Sequence, residues 1–167
     1  SGHNIDPKVI EDALGAHPAV QLCAAVGAPD AYAGELPVVF AMLVPGASTS
    51  EAELLAFTAE RVDEAPAKPK SVFIIEQMPM TNVGKIYKPE LRALATRRVA
   101  NALVDEICAN LDLDAAARPQ VQVDAESALK LIVDAATAGS QAPQLQAKLQ
   151  EVLGRLPVKL HIVLQSP

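Results

Sequence analysis

Lys85 is the residue of this chain best placed to do chemistry. It follows Gly84 in the stretch Met78 to Lys88, MPMTNVGKIYK, a turn-prone loop just ahead of a long helical pattern. Its reference pKa of about 10.4 keeps the ammonium charged at pH 7, and its flexible stem lets it reach an anion in a neighbouring site. Gly84 beside it gives the backbone access to positive φ and to close approach to a ligand. From Ser1 to Glu64 there are ten acidic and two basic side chains, whereas Lys68, Lys70, Lys85, Lys88, Arg92, Arg97 and Arg98 follow against only Glu76 and Glu90. A basic island in a chain of net charge -6 points to a local phosphate or carboxylate and not to nucleic acid. Three Phe and two Tyr, with no Trp, offer no stacking surface among the basic residues beyond Tyr87.

Rival chemistries fail on residue type. A P-loop requires glycine where this chain has Pro79, and Ser or Thr where it has Ile86. His17 precedes Pro18 at a helix end and His161 alternates outward in a strand pattern, which gives both structural roles, while His3 stays open. Glu11 and Glu35 read as salt-bridge or cap partners, and Arg92, Arg97 and Arg98 as solvated helix-face charges. Met78 and Met80 read as packing residues. Cys23 and Cys108 have neither C-x-x-C spacing nor a nearby His, so no metal set is expected and they read as buried, reduced thiols of a cytoplasmic protein.

The elements that must position Lys85 follow from local signals. Asp6 and Pro7 cap a short helix with Val9, Ile10, Ala13 and Leu14 on one stripe, ending at Gly15. Val20 to Val26 and Pro37 to Val44 are apolar runs of strand length, with Gly27 to Gly34 as the loop between them. Ser50 and Glu53 form a capping box for a helix through about Val62, with Leu54, Leu55 and Phe57 inward. Ser71 to Ile75 is a third strand that ends just before the lysine loop. Pro89 starts the long helix, with Leu91, Ala95, Val99, Leu103 and Ile107 at four-residue steps. After Leu113 five acids balance five bases, and Gln120 to Val123, Leu129 to Val133 and Val158 to Leu164 alternate like strands around a helix over Gln144 to Leu153. At 167 residues, half of them hydrophobic, the chain holds one ordinary domain or two small ones. No apolar stretch nears the roughly eighteen residues needed to span a bilayer.

Pro79, four residues, then Gly84, Lys85 and Ile86 resembles the last motif of the adenylate-forming superfamily, which holds acyl-CoA synthetases, amino-acid-adenylating domains and luciferases. Gly2-His3-Asn4-Ile5-Asp6-Pro7, followed by Ile10-Glu11 and Leu14, is similar to the segment just after the hinge of those enzymes. His17-Pro18-Ala19-Val20, Ala25-Val26-Gly27, Pro29-Asp30 and Gly34-Glu35-Leu36-Pro37 continue the likeness, which covers residues 2 to about 95. The family often has arginine three residues after the motif lysine; here it is Lys88, which keeps the charge without the planar fork that grips phosphate bidentately. The family's acidic hinge residue would lie before Ser1. The whole chain resembles the small C-terminal domain of an acyl-CoA synthetase. The fold class expected is therefore α+β: a lid domain over 1–112, with about a three-stranded sheet and flanking helices, and a ββαβ extension over 113–167 packed beside it.

That resemblance implies a ligase that joins a carboxylic acid to CoA with ATP, releasing AMP and pyrophosphate. A large N-terminal domain would bind most of the ATP, Mg²⁺ and the acyl group, so this chain alone would be catalytically silent. Lys85 would contact the substrate carboxylate and the nucleotide while the adenylate forms, then leave as the domain rotates. Gly84 would let the loop pass close to the nucleotide, and Gly2 matches a glycine of the strand beside which the family threads the pantetheine arm of CoA. The motif also resembles the pattern read by a lysine acetyltransferase in acetylation-controlled synthetases; acetylation of Lys85 would remove its charge. Two alternatives stand beside this: an adenylating domain that loads a carrier protein, and a non-enzymatic binding module with the ββαβ tail as its interaction surface.

Overall fold

The computed structural model describes residues 5–166, so Gly2 and His3 lie outside the described residues. Helix α1 (Pro7–Gly15) opens where expected: the Asp6 carboxylate accepts from Lys8 N at 2.9 Å and Pro7 takes the first turn. It buries Ile10, Ala13 and Leu14, but Val9 is 47% exposed. Val9 stands about 100° round the helix from Ile10, at the border of the stripe.

Strands β1 (Val20–Asp30) and β2 (Gly34–Leu43) are joined by three residues, a connection only an antiparallel pair permits. The loop expected over Gly27 to Gly34 is thus mostly strand. The turn is made by Asp30, whose Oδ2 accepts from Tyr32 N and Ala33 N at 3.0 and 2.8 Å, with Gly34 at φ 80°. Gly27 remains in β1 because the Glu35 carboxylate of β2 occupies the space a side chain there would fill.

Helix α2 (Glu51–Arg61) is capped by Ser50 Oγ, which accepts from Glu53 N at 3.0 Å. The reciprocal half of the capping box is replaced: the Glu53 carboxylate accepts from the Thr49 hydroxyl at 2.6 Å. Strand β3 (Ser71–Ile74) then pairs parallel with β2, Val39 opposite Val72 and Phe40 opposite Phe73, giving the order β1-β2-β3. Ile10, Leu14 and Leu54 pack with Ala25, Val39, Ala41 and Val72 on one face of this sheet. Val38 and Phe40, on the other face, are buried as well. Burial on both faces is why β2 reads as an unbroken apolar run.

Helix α3 (Lys88–Asn110) departs from its expected stripe. Leu91, Ala95, Ala100, Val104 and Ile107 are buried, whereas Val99 and Leu103 are only partly so. Ala100 lies nine residues after Leu91, about half a turn out of phase, so the buried side of α3 changes along its length. The remaining elements are β4 (Gln120–Val123), β5 (Leu129–Asp134), α4 (Ala135–Ala138), α5 (Ala142–Leu153) and β6 (Leu160–Gln165). They form a sheet of order β4-β5-β6, with β4 antiparallel and β6 parallel to β5. Its core joins Leu129, Leu131 and Val133 to Leu145, Leu149 and Leu153 and to Ala100, Val104 and Ile107. The short α4 was not foreseen; Asp134 caps it, its carboxylate accepting from Ala136 N at 2.9 Å.

The chain divides into two compact units, residues 1–28 with 35–92 and residues 29–34 with 93–167. The passage from one to the other falls inside α3, while the division expected at 112/113 falls just after it. No helix among the described residues is long and apolar enough to cross a membrane. Leu149 is fully buried. Leu149→Ala is expected to cost about 2–5 kcal/mol, read as a lower urea midpoint for loss of helical circular dichroism, whereas Leu164→Ala, at a half-exposed position, should leave the midpoint nearly unchanged.

Candidate functional site

The lysine loop is a small hairpin. After β3, Met78 is buried and anchors the outgoing leg. Tyr87 N donates to Pro79 O at 2.8 Å, and Met80 pairs antiparallel with Ile86. At the tip, Gly84 N donates to Thr81 O at 3.1 Å and Thr81 N to Lys85 O at 2.6 Å, with Gly84 at φ 81°. That is a three-residue hairpin closed by a residue in the left-handed region, where glycine is favoured. The Thr81 hydroxyl adds a further clamp by accepting from Lys85 N at 3.1 Å.

Lys85 is therefore held by its backbone on both sides while its side chain stays exposed. Among the described residues its ammonium has no ion-pair or hydrogen-bond partner. Val83, at the tip, is 81% exposed. Met80, expected to pack, is half-exposed on the hairpin, where it pairs with Ile86.

Lys88, by contrast, is engaged. Its Nζ lies 3.0 Å from Glu11 Oε2, and the same oxygen accepts from Ala25 N at 2.9 Å. Glu11 is thus the salt-bridge partner its position suggested, joining α1, β1 and the first residue of α3. Spacing along the chain does not reveal this pair, because its members stand seventy-seven positions apart. Thr81 was also missed as a clamp; the Thr-x-x-Gly-Lys order was the signal that could have found it.

The other candidates take structural roles or stay on the surface. His17 is buried, its Nδ1 accepts from Ala19 N at 3.0 Å, and its ring meets Phe57 edge-on at 4.7 Å. An accepting Nδ1 carries no proton, so the ring serves as a turn cap. His161 is exposed on β6, and Arg92, Arg97 and Arg98 are exposed on α3. The carboxylate of Glu35 lies over Gly27. Cys23 donates from Sγ to Glu11 O at 3.3 Å, and burial, with help from the Glu11 and Asp12 charges, pushes its thiol up to about 11. Burial also raises the Cys108 thiol. Both cysteines are free and partly buried. Among the described residues no three His, Cys, Asp or Glu side chains converge to hold a metal ion.

Residues 9–85 match the profile of the AMP-binding enzyme C-terminal domain. This segment belongs to that family. The chain is 42% identical to a marinolic acid–CoA ligase of a Pseudoalteromonas species over 66% of its own length and 17% of the relative's. It is 37% identical to an acetyl-coenzyme A synthetase of Pyrobaculum arsenaticum over 58% of its length and 15% of that protein's. Among solved structures, a Brucella canis acyl-CoA synthetase is similar at a TM-score of 0.52 and 35% identity, over 59% of this chain and 18% of that one. The chain therefore spans less than a fifth of the length of these relatives. The likeness agrees with the α+β class and with a C-terminal domain of an adenylate-forming acyl-CoA synthetase.

Two outcomes follow for this segment. Among the described residues, its two chain neighbours aside, no atom lies within 4 Å of where a Cβ on Gly84 would stand, so the cost of Gly84→Ala is the backbone's alone. It is expected to lower stability by about 1–2 kcal/mol, with Gly84→Asn costing less, as read from thermal unfolding. Cys23, with so little thiolate at pH 8, should react with iodoacetamide on the order of 100-fold more slowly in the folded protein than in urea, checked by mass spectrometry of the labelled peptide.

Proposed function

We propose that this chain is the mobile C-terminal lid of an AMP-forming acyl-CoA synthetase and that Lys85 acts in its adenylation step. The observation that carries the reading is a lysine fixed by its backbone at the tip of a hairpin, with its ammonium left without a partner among the described residues. Joining a carboxylate to the α-phosphate of ATP brings two anions together and builds negative charge on the phosphoryl oxygens. A fixed ammonium between them offsets that repulsion, and more in the transition state than in the ground state. In this reading Gly84 lets the backbone pass close to the nucleotide, and Gly2, outside the described residues, borders the path of the pantetheine arm after rotation.

The carboxylic acid, ATP and CoA are then substrates shared with a large N-terminal domain, to which Mg²⁺ is also assigned. The relatives that match here carry the names of CoA ligases, which favours free CoA over a carrier protein as acceptor. Relatives named for acetate and for marinolic acid match the same domain, so acyl choice is assigned to the large domain. The assembled enzyme is placed in the cytoplasm. A lysine acetyltransferase would find the same exposed ammonium, and acetylation would remove the charge that the step uses.

The test is carboxylate-dependent ATP–pyrophosphate exchange by the whole enzyme over a panel of acids. Lys85→Ala is expected to slow exchange by on the order of 100-fold or more, while thioester formation from preformed acyl-adenylate survives. Equal loss of both half-reactions would overturn the assignment.

A further inference from the structure

We infer that Glu11 is a positioning residue for Lys85: through its ion pair with Lys88 it fixes the return leg of the lysine hairpin to the edge of the sheet. The inference rests on the adenylation role proposed for Lys85.

The hairpin has few supports of its own. Its outgoing leg is held by buried Met78, its legs meet at the Met80–Ile86 bridge and at the Tyr87 N to Pro79 O bond, and beyond that it projects with Val83 exposed. None of Lys85, Ile86 and Tyr87 on the return leg is buried, and the first fully buried side chain after them is Leu91 of α3. Between them the leg is tied by Lys88, three residues past Lys85, through Glu11 Oε2 at 3.0 Å. Glu11 is itself immobilised, because that oxygen accepts from Ala25 N at 2.9 Å and its backbone carbonyl accepts from Cys23 Sγ at 3.3 Å. Both side chains of the pair are largely shielded, with 30% and 24% of their surface exposed, against 74% and 66% for the Lys8–Asp12 pair. Solvent and salt screen the shielded pair less, and it holds its geometry better than a surface pair does.

Glu11 touches no reacting group in this scheme; it acts by setting where the backbone of Lys85 starts. A displacement of about 1 Å at a catalytic group can cost as much as 100-fold in rate. The step that uses Lys85 should feel the loss of the pair, and the thioester step, from which Lys85 has withdrawn, should not. A purely structural carboxylate would slow both.

The experiment measures both half-reactions in the whole enzyme for Glu11→Gln, Lys88→Met, Lys85→Ala and the Glu11→Gln/Lys85→Ala double variant, with thermal unfolding of each. Glu11→Gln is expected to slow pyrophosphate exchange about ten-fold and to leave the thioester step within about two-fold. Lys88→Met, which keeps the Glu11–Ala25 bond and so guards against misfolding, should do the same. In the Lys85→Ala background Glu11→Gln should have no further effect, since it acts through Lys85. A normal exchange rate in both single variants, an equal loss of both half-reactions, or a full ten-fold loss retained in the double variant would each overturn the inference. If Lys85→Ala itself leaves exchange intact, the adenylation role fails first, and that result is separate from any effect of Glu11.

Discussion

A strand at the edge of a sheet carries N–H groups with no neighbouring strand to receive them, and β1 is such a strand. In this chain Ala25 N at that edge donates to Glu11 Oε2, and the same oxygen receives Lys88 Nζ. One carboxylate oxygen thus completes a hydrogen bond that a buried backbone amide would otherwise lack, and neutralises a cation at the start of α3. Everything that presents Lys85 hangs between two fixed points: the end of β3, paired parallel to β2, and this carboxylate. The hairpin needs no core of its own because both of its ends are tied to the first unit.

The same division of labour explains the basic island. Charge density alone does not make a binding site, since most surface cations are solvated or paired. Lys88 is paired with Glu11, and Arg92, Arg97 and Arg98 are exposed at different angles around α3. Lys85 stands instead at the tip of a hairpin, its backbone clamped by Thr81 and its ammonium without a partner among the described residues. A charge held that way loses little backbone entropy when an anion arrives, and only its side-chain rotamers remain to be fixed.

Features governed by neighbours in sequence were legible in advance, and those governed by distant neighbours were not. The Asp6–Pro7 start of α1, the Ser50 cap of α2 and the positive φ of Gly84 all depend on a few adjacent residues. The reach of β1 through Gly27 and Pro29 could not be read, because glycine and proline there signal a turn unless one knows that the Glu35 side chain crosses over Gly27. Helix α3 was recognised as a helix but its stripe was misassigned, because its buried side shifts by half a turn between Leu91 and Ala100 and no single period describes it. Helix α4, only four residues of Ala-Ala-Thr-Ala, has no periodicity at all; the Asp134 cap was its one signal. Within the hairpin, the turn at Gly84 was readable from type and order, whereas the Glu11–Lys88 contact is a product of the tertiary fold.

That contact also gives Lys88 a structural part at a position where the adenylate-forming enzymes that the chain resembles often have arginine. A guanidinium is superior where two parallel N–H groups must meet two acceptor oxygens. Here both the backbone amide of Ala25 and the cation converge on Oε2 of Glu11, so the contact is a single point and not a fork. A lysine ammonium satisfies a single-point contact fully, and its stem is long enough to reach across from the start of α3 to α1. In the bracing role inferred for Lys88, a lysine suffices because a single ammonium meets Glu11 Oε2. In that reading the chemistry of the loop rests on Lys85 and its geometry on Lys88.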